Sequence, residues 1–177
     1  MNKKLKWLET KRLTIYHPDQ SSYNFFIELL TNEEVKKFII SEATEKQIKK
    51  DLSGLIKHYN VHGFSAGVVM LNDTKKFIGR AGLYFKELDG EINLCLIYHL
   101  LPQYWRKGYG TEMVRSLINF SFKTLKHNKI LVLIESSNTS SLKLLQKFNP
   151  ILNGFVTFKE KKHLKYFIHN KNLDSET

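Results

Sequence analysis

The chain has 177 residues, a formal net charge of +11 and 42% hydrophobic residues. This length and composition predict one globular domain over residues 1–177, with a disordered tail from about residue 171. The sequence has no run near 18 apolar residues, so we expect no transmembrane helix. Its opening segment lacks the apolar core of a signal peptide, so we expect none. The single cysteine, Cys95, excludes an internal disulfide framework, so we expect a cytoplasmic protein.

The excess of basic residues bears on partners rather than on the fold. A positive protein attracts polyanions such as nucleic acid, acidic membrane surfaces, ribosomes or a phosphate-rich small molecule. Basic pairs such as Lys36-Lys37 and Lys161-Lys162 are spread along the chain, and solvated lysines on helix faces and loops would also explain them. No nucleic-acid-binding motif is present, so a basic ribosome- or nucleic-acid-associated protein is an alternative that rests on charge alone.

Apolar periodicity and turn residues predict a strand, three helices, three strands, a helix, a strand, a helix and two strands, in chain order. The predicted strands cover residues 13–16, 64–71, 76–86, 92–101, 129–134, 153–158 and 164–169. The predicted helices cover residues 22–30, a short segment capped by Asn32, and residues 45–59, 110–126 and 140–148. The middle three strands form an antiparallel meander, and the segment from residue 92 to 134 is long enough for a parallel crossover.

The least ordinary stretch is YWRKGYGTEM, residues 104–113, which lies between a predicted strand and a predicted helix. The first turn of a helix has unpaired backbone N–H groups and a positive dipole end, and glycine lets a ligand approach this backbone. This glycine stretch therefore indicates an anion site, with charge from Arg106 and Lys107 and a hydroxyl from Thr111. It matches neither a Walker motif nor a dinucleotide fingerprint. A loop that only turns the chain is the alternative.

Three segments share patterns with a known group of enzymes. They are LETKRL at residues 8–13, LPQYWRKGYGTE at residues 101–112 and NTSSLKLLQKF at residues 138–148. They resemble, in this order, the L-x-T-x-R-L opening, the P-x-Y-W-G-x-G-Y-A-T-E pyrophosphate loop and the N-x-x-S-x-x-L-x-x-K segment of ribosomal-protein N-terminal acetyltransferases. These enzymes are a branch of the GNAT superfamily of acetyl-CoA-dependent N-acetyltransferases, and the resemblance covers about residues 8 to 169.

The resemblance implies an α/β (α+β) fold. Its sheet is mixed, mostly antiparallel and twisted, with about seven strands, flanking helices and a central splayed parallel strand pair. It also implies an enzyme that moves an acetyl group from acetyl-CoA to a primary amine by direct attack on the thioester. The amine would be a protein N-terminal α-amine or a small molecule, and a non-catalytic acyl-CoA-binding protein is the alternative. The seven histidines form no ligand pattern, so we expect no metal. We also expect no membrane or nucleic-acid partner. A homodimer is compatible with the sequence.

The resemblance further implies which residues bind acetyl-CoA. Backbone N–H groups of one segment would hold the pyrophosphate: Arg106, Lys107, Gly108, Tyr109, Gly110 and Thr111. The main chain around Tyr98, His99 and Leu100 would pair with the pantetheine arm like an added strand. Asn138 would bond the cofactor from the far side of the cleft, and Ser141 would lie near the thioester sulfur.

Three departures, two from the branch and one from many members of the wider superfamily, affect these expectations. Arg106 stands where the branch has glycine, so its guanidinium either reaches a phosphate or points to solvent. Leu145 stands where many members have a tyrosine general acid, which leaves Ser141 or water to protonate the thiolate. Phe148-Asn149-Pro150 replaces Gly-Phe, so we expect this turn to be built differently.

Acetyl transfer needs a neutral amine, donors for the oxyanion and a proton for the leaving thiolate. Glu135 would draw a proton through water, with a solvated strand end as its alternative. His99 is the other candidate base, with a surface or cofactor-side strand residue as its alternative. Cys95 is a strand-core residue or an acyl-carrying thiol. The missing strong base favours an α-amine, whose pKa is about 7.7–8.0, over a lysine.

The sequence does not name the acceptor. Its pocket would be lined by the early helices, residues 24–59, and by the last hairpin. The positive charge disfavours a cationic acceptor such as a polyamine, unless acidic residues of the early helices form a local patch. Those residues are Glu28, Glu33, Glu34, Glu42 and Glu45.

Overall fold

A computed structural model describes residues 5–40, 43–158 and 160–170. Glu42 and the tail predicted from about residue 171 lie outside the described residues. The described chain forms one sheet of eight strands in the order β1-β2-β3-β4-β5-β6-β8-β7. The strands are β1 Lys6–Glu9, β2 Leu13–Tyr16, β3 Gly67–Leu71, β4 Phe77–Leu88, β5 Glu91–Leu100, β6 Lys129–Glu135, β7 Ile151–Phe158 and β8 Lys161–His169.

The predicted fold class is confirmed, with one strand more than the sequence pattern indicated. The added strand is β1, which pairs antiparallel with β2 at the edge of the sheet. Its four residues, KWLE, are at most half-buried, so they show no clear alternation of apolar and polar positions. Trp7 anchors the strand, because its ring lies 5.6 Å from the ring of His17 and 5.3 Å from that of Phe120.

The helices begin close to their predicted first residues but several end elsewhere. They are α1 Tyr23–Leu30, α2 Glu33–Lys36, α3 Glu45–His62, α4 Tyr109–Asn119 and α5 Thr139–Leu145. The side chains of Asn32 and Thr44 cap α2 and α3 by accepting backbone N–H groups. The prediction of one helix over residues 110–126 was too long, since α4 passes into a π-helical turn at Phe120–Thr124. The last turn of the predicted helix 140–148 is likewise a 3₁₀ turn, Gln146–Phe148.

Helices cover both faces of the sheet. Met113 and Leu117 of α4 are fully buried against one face, in a core that also contains Leu145. A second core on the other face includes Phe26 of α1 and Leu52 of α3. Each such side chain contributes roughly 1.5–3 kcal/mol through burial. The two cores hold the middle of the sheet between α4 and α5 on one side and α1 to α3 on the other.

The centre of the sheet contains its only parallel neighbours among the described strands, β5 and β6. Their pairing is restricted to the register Cys95↔Leu131. All other neighbouring strands are antiparallel, and β4–β5 pairs along its whole length from Gly79↔Leu100 to Leu88↔Glu91. Beyond Cys95 the carboxyl halves of β5 and β6 therefore separate, and a cleft opens toward α4 and α5, as the predicted splayed pair requires.

Candidate active site

The glycine stretch forms the entry to α4. Gly108 is the N-cap residue with φ of +79°, and the first backbone bond of the helix runs from Glu112 N to Gly108 O at 3.1 Å. The N–H groups of residues 109–111 have no hydrogen-bond acceptor within the described chain, as the first turn of a helix dictates. Together with the positive dipole end, these donors make the stretch a candidate anion site.

The two glycines serve different purposes. Gly108 adopts a left-handed conformation that side chains disfavour, whereas Gly110 lies inside the first helical turn. A Cβ atom at Gly110 would lie 2.6 Å from Cδ1 of Leu144, so this glycine lets α4 approach α5 closely. Arg106 also has a positive φ, +59°, at the position where the branch that the sequence resembles has glycine. The loop accepts its side chain there only at a cost in backbone strain.

A network of hydrogen bonds ties the glycine stretch to the start of the sheet. The Glu112 carboxylate accepts from Thr10 Oγ1 at 2.7 Å, from Arg12 N at 2.8 Å and from Arg12 Nε at 2.6 Å. Arg12 Nη1 also donates to the carbonyl of Lys107 at 3.0 Å, and its guanidinium lies 4.4 Å from the ring centre of Tyr109. Burial raises the pKa of Glu112, but the bonds from Thr10 and Arg12 outweigh it and the pKa is lowered. Arg12 thereby fixes the position of the loop.

Two cavities adjoin in the cleft between β5 and α5. The loop cavity has a volume of about 720 Å³ and is lined by the glycine stretch, α5 and the end of β5. The strand cavity has a volume of about 540 Å³ and lies over β4, β5 and the end of β6, beside α3. Both volumes suit a small molecule or part of a cofactor. The residues that line both cavities are Phe38, Tyr98, His99, Asn138 and Ser141.

The junction of the cavities is marked by two hydroxyl groups. Tyr98 OH and Ser141 Oγ lie 2.6 Å apart and share a hydrogen bond across the cleft. Asn138 Oδ1 accepts from Ser141 N at 3.0 Å, which caps α5 and leaves the amide NH₂ of Asn138 for a ligand. Burial raises the pKa of Tyr98 to about 12, while the bond to Ser141 acts in the opposite direction. The phenol therefore stays protonated, and one hydroxyl of the pair has a proton to donate into the cleft.

His99 is held as a neutral ring. Arg80 Nε donates to His99 Nδ1 at 3.3 Å. Burial, and then the charge of Arg80, hold the pKa of His99 well below its usual range. Since Nδ1 accepts from Arg80, the ring proton lies on Nε2, so His99 offers a donor to the cavities. This arrangement disfavours the role of general base that the sequence left open.

Glu135 lies at the end of β6 and lines the strand cavity. Its residue is only 9% exposed, so the alternative of a solvated strand end is wrong. The carboxylate accepts from Ser137 N at 3.1 Å and from the hydroxyl of Ser137. Ser137 thereby orients Glu135 in the same cavity as Asn138 and Ser141.

The structure brings most of the predicted residues together and separates a few. Lys107 and Tyr109 line neither cavity, and the carbonyl of Leu100 already accepts from Trp105 Nε1 at 2.7 Å. Leu145 is fully buried in the core, away from both cavities. Asn149 has φ of +47°, a left-handed conformation that asparagine tolerates well.

Cys95 is buried in β5, as its interpretation as a strand-core residue predicts, and it lines the strand cavity. It is 4% exposed, and burial raises the pKa of its thiol to about 12. A thiol that stays protonated is a poor nucleophile, which disfavours an acyl-carrying role. Within residues 5–40, 43–158 and 160–170, no group of three or more His, Cys, Asp or Glu is placed to hold a metal ion. No helix in the described chain is long and apolar enough to span a membrane.

Sequence reasoning missed two side chains of the site. It assigned only the main chain of Tyr98, and it did not consider Arg80. The signal for Arg80 was present, because β4 reads FIGRAGLYF and an arginine in the middle of an apolar strand has to find a partner. No comparable signal marked Tyr98, since its hydroxyl partner lies on another element.

Comparison with known proteins agrees with this geometry. Residues 12–149 match the family described as "Acetyltransferase (GNAT) domain", and the chain belongs to this family. The protein is therefore an acetyltransferase, and the fold of its family uses acetyl-CoA. A relative in Bacillus licheniformis, "Uncharacterized N-acetyltransferase p20", is 28% identical over 163 residues, which are 89% of each chain.

Solved structures with a similar fold include enzymes for different acceptors. The ribosomal-protein-S5-alanine acetyltransferase from Vibrio fischeri has a TM-score of 0.74 at 16% identity, covering 94% of this chain and 97% of its own. The spermidine N-acetyltransferase from Vibrio cholerae, solved with CoA and spermine, has a TM-score of 0.73 at 16% identity, covering 92% and 98%. At this identity the likeness concerns the fold alone. It does not assign the ribosomal-protein branch that the sequence resembles.

Proposed function

We propose that this acetyltransferase moves the acetyl group of acetyl-CoA to a primary amine by direct attack on the thioester. The acceptor is either the N-terminal α-amine of a protein, as in the branch that the sequence resembles, or a small-molecule amine. The observation that carries the proposal is the meeting of two cavities at the Tyr98–Ser141 hydroxyl pair. One cavity ends on the open N–H groups of α4, and the other contains a buried carboxylate.

The loop cavity fits the phosphate end of acetyl-CoA. Its first-turn N–H donors have no acceptor in the described chain, and Gly108 and Arg106 hold the backbone in the left-handed conformations of an anion cradle. Backbone groups of residues 106–111 would hold the pyrophosphate. The NH₂ group of Asn138 and the main chain from Tyr98 to Leu100 would bind the pantetheine arm from opposite sides of the cleft.

The strand cavity and the junction supply the remaining requirements. Acetyl-CoA, when bound, supplies an acetyl group on a good leaving sulfur. Glu135 receives the proton of the attacking amine through water while the N–C bond forms and the C–S bond breaks. The Tyr98–Ser141 pair donates a hydrogen bond to the leaving sulfur, in place of the family tyrosine that is Leu145 here. An α-amine, with a pKa of about 7.7–8.0, needs less help from the base than a lysine does.

Two measurements on the intact protein test the proposal. The first is thermal unfolding with acetyl-CoA, with free CoA and with a matched polyphosphate. Saturation at 100 times Kd adds about 2.7 kcal/mol to the free energy of unfolding, a rise of several degrees in Tm for a domain of this size. The second is release of free thiol from acetyl-CoA in the presence of peptide and small-molecule amines.

The outcomes separate the alternatives. A rise in Tm specific to acetyl-CoA, with amine-dependent thiol release, supports the proposal. A specific rise with no turnover of any amine would favour an acyl-CoA-binding protein. An equal rise with any polyanion would mean that the glycine stretch only collects negative charge. The single domain over residues 1–177, the cytoplasmic location and a homodimer stay predictions.

A further inference from the structure

We propose that the amine acceptor carries a carboxylate and that Arg80 binds it in the strand cavity. This inference rests on the proposed function, because it names the chemical class of the acceptor for the same site. Its basis is a buried guanidinium, beside the reacting groups, that the described protein leaves without a carboxylate partner.

Arg80 is the clearest unmatched charge in the site. It lines the strand cavity from β4 and is only 5% exposed. Its Nε donates to His99 Nδ1, and its guanidinium lies 5.5 Å from the ring centre of Phe26. Within the described chain its two Nη atoms donate no hydrogen bond to a protein atom, and Asp51 acts on the guanidinium as a nearby charge rather than as an ion-pair partner. Buried charges are ordinarily paired, so this one is ready to receive an anion.

The guanidinium remains charged despite its burial. Desolvation lowers the pKa of Arg80 to about 10, while the nearby Tyr84 and Asp51 act in the opposite direction. A group with this pKa is a cation at neutral pH. Its planar fork of donors fits both oxygens of a carboxylate, which a lysine ammonium would not match.

The other charges of the strand cavity do not cancel this one. Its cations are Lys50, Arg80 and Lys86, and its acidic residues are Asp51 and Glu135. Asp51 already accepts from Gln47 Nε2 at 2.6 Å, and Glu135 accepts from Ser137. His99 is neutral and offers Nε2–H as a further donor. The cavity therefore favours an anion near Arg80 and disfavours a polyamine.

The predicted acidic patch does not change this balance. Glu33 and Glu34 form ion pairs with Lys36 and Lys37 at 2.5 Å and 2.7 Å. Glu28, Glu33, Glu34 and Glu45 are exposed, and none of them lines the strand cavity, although Glu34 lines the loop cavity. The described acidic residues of the early helices therefore form no patch in the strand cavity that would favour a cationic acceptor.

The position of Arg80 in the strand cavity indicates that the anion it binds belongs to the acceptor rather than to the cofactor. Arg80 lines the strand cavity and not the loop cavity, whereas Tyr98, His99 and Ser141 line both. The acceptor amine has to approach the Tyr98–Ser141 pair from the side opposite the glycine stretch. A carboxylate on the same molecule then reaches the guanidinium that is bonded to His99.

The test compares each carboxylate acceptor with a partner that lacks this charge, and the decisive quantity is the change in preference between the wild-type enzyme and R80Q. L-phenylalanine is paired with L-phenylalaninamide, and peptides beginning with Glu are paired with the same peptides beginning with Gln. The first pair represents a free amino acid, and the second represents an acidic protein N-terminus. Ethanolamine and phosphoethanolamine form a third pair that detects a preference for phosphate. The rate of thiol release from acetyl-CoA gives kcat/KM for each acceptor.

Three variants accompany the wild-type enzyme in this assay. R80Q removes the charge, R80K keeps the charge but loses the planar fork, and K49Q removes an equal charge from the exposed face of α3. For the wild-type enzyme we expect a carboxylate acceptor to be preferred over its neutral partner by about tenfold to a hundredfold in kcat/KM. R80Q should abolish this preference, R80K should retain part of it, and K49Q should leave it unchanged. Acetyl-CoA binding should persist in all three.

The result that would overturn the inference is equal use of each pair, or a preference that survives R80Q. Preference for phosphoethanolamine alone would replace the carboxylate by phosphate and would also overturn it. In each of these cases, acetyl-CoA binding and turnover of acceptors without a carboxylate would leave the proposed function standing. If R80Q does not fold, the partial loss expected for R80K decides the question. Absence of both acetyl-CoA binding and turnover would overturn the proposed function itself.

Discussion

The two cavities of this acetyltransferase are built from different parts of the chain. The loop cavity depends on main-chain groups of one short segment, shaped by the positive φ values of Arg106 and Gly108. The strand cavity depends on side chains such as Arg80, His99 and Glu135, which come from three different strands. A site made of backbone leaves a contiguous motif in the sequence. A site made of side chains leaves single residues, and this is why its substrate is harder to recognise.

The junction of the two cavities should show the largest effect of a single substitution. Y98F removes the phenolic hydroxyl that lies 2.6 Å from Ser141 Oγ. We expect kcat to fall about a hundredfold, because the leaving sulfur loses its donor, with KM for acetyl-CoA changed less than about threefold. Steady-state kinetics with saturating amine measure both constants.

Two further variants determine whether the hydroxyls act as a unit. S141A should reduce kcat to a similar extent, and the double variant should be little worse than either single one. Y16F, which removes a tyrosine hydroxyl from β2, is the matched control and should leave kcat unchanged. Independent, fully additive effects of Y98F and S141A would show that the pair does not share one proton.

The second-largest effect is expected for Arg12, which positions the glycine stretch of the loop cavity. R12A removes the bonds from Arg12 to Glu112 and to the carbonyl of Lys107. Because the glycine stretch then loses its anchor, we expect Kd for acetyl-CoA to rise about tenfold, or about 1.4 kcal/mol. Calorimetric titration of acetyl-CoA measures this change.

The matched control for the anchor is K11A, which removes the same charge from the neighbouring exposed residue. It should leave Kd nearly unchanged if geometry rather than charge is responsible. An equal loss of affinity in K11A and R12A would assign the effect to general attraction between a positive protein and a polyanion.

The strands around the cleft were predicted from local patterns, and the splayed parallel pair was implied by the resemblance. The anion site at the glycine stretch, which also follows from local rules, stays a prediction. Gly108 and Gly110 stand at a strand–helix boundary, and residues 129–134 form a continuous apolar run that fits a covered parallel strand. The short edge strand β1 was missed because Trp7 is stabilised by His17 and Phe120, which are distant in sequence. The side-chain hydrogen bonds of Tyr98 and Arg80 were missed for the same reason. Their partners, Ser141 and His99, lie on other elements, and only folding brings them together.

The edge of the strand cavity contains a histidine that should make stability depend on pH. His58 Nε2 accepts from Phe85 N at 2.9 Å, and Nδ1 donates to the carbonyl of Phe64 at 2.8 Å. Burial lowers the pKa of His58, opposed by the bond to Phe64 and assisted by the charge of His62. The folded protein thus holds His58 neutral, whereas the unfolded chain protonates it near pH 6.5. Stability is present above that pH and is lost as the pH falls.

We expect Tm to fall by a few degrees between pH 7.5 and pH 5.5. H58Q should reduce this fall, since a glutamine amide is neutral at every pH and offers both a donor and an acceptor. H62Q is the control for the loss of a histidine, because His62 is exposed and makes neither bond. Since its charge assists the lowering of the His58 pKa, H62Q should reduce the fall only slightly. A pH dependence of Tm that is the same in H58Q and in the wild-type protein would assign the effect to other buried histidines, such as His17 and His163, whose pKa values are also lowered by burial.

The smallest effect is expected for Arg106, where one substitution tests whether the loop cavity depends on its backbone or on this side chain. R106G replaces a residue with φ of +59° by the one residue that adopts this conformation freely. We expect the free energy of unfolding to rise by about 0.5–1 kcal/mol, after the greater entropy of glycine in the unfolded chain is counted. K107G is the matched control, since Lys107 carries the same charge without a positive φ, and it should destabilise the protein.

The affinity of R106G for acetyl-CoA then decides what the arginine contributes. If main-chain N–H groups hold the pyrophosphate, Kd should rise less than about threefold, the loss of one exposed charge. A rise of tenfold or more would show that the guanidinium itself binds a phosphate. The loop cavity would then depend on a side chain, as the strand cavity does. Arg106 would add a phosphate contact at a position where the backbone conformation favours glycine.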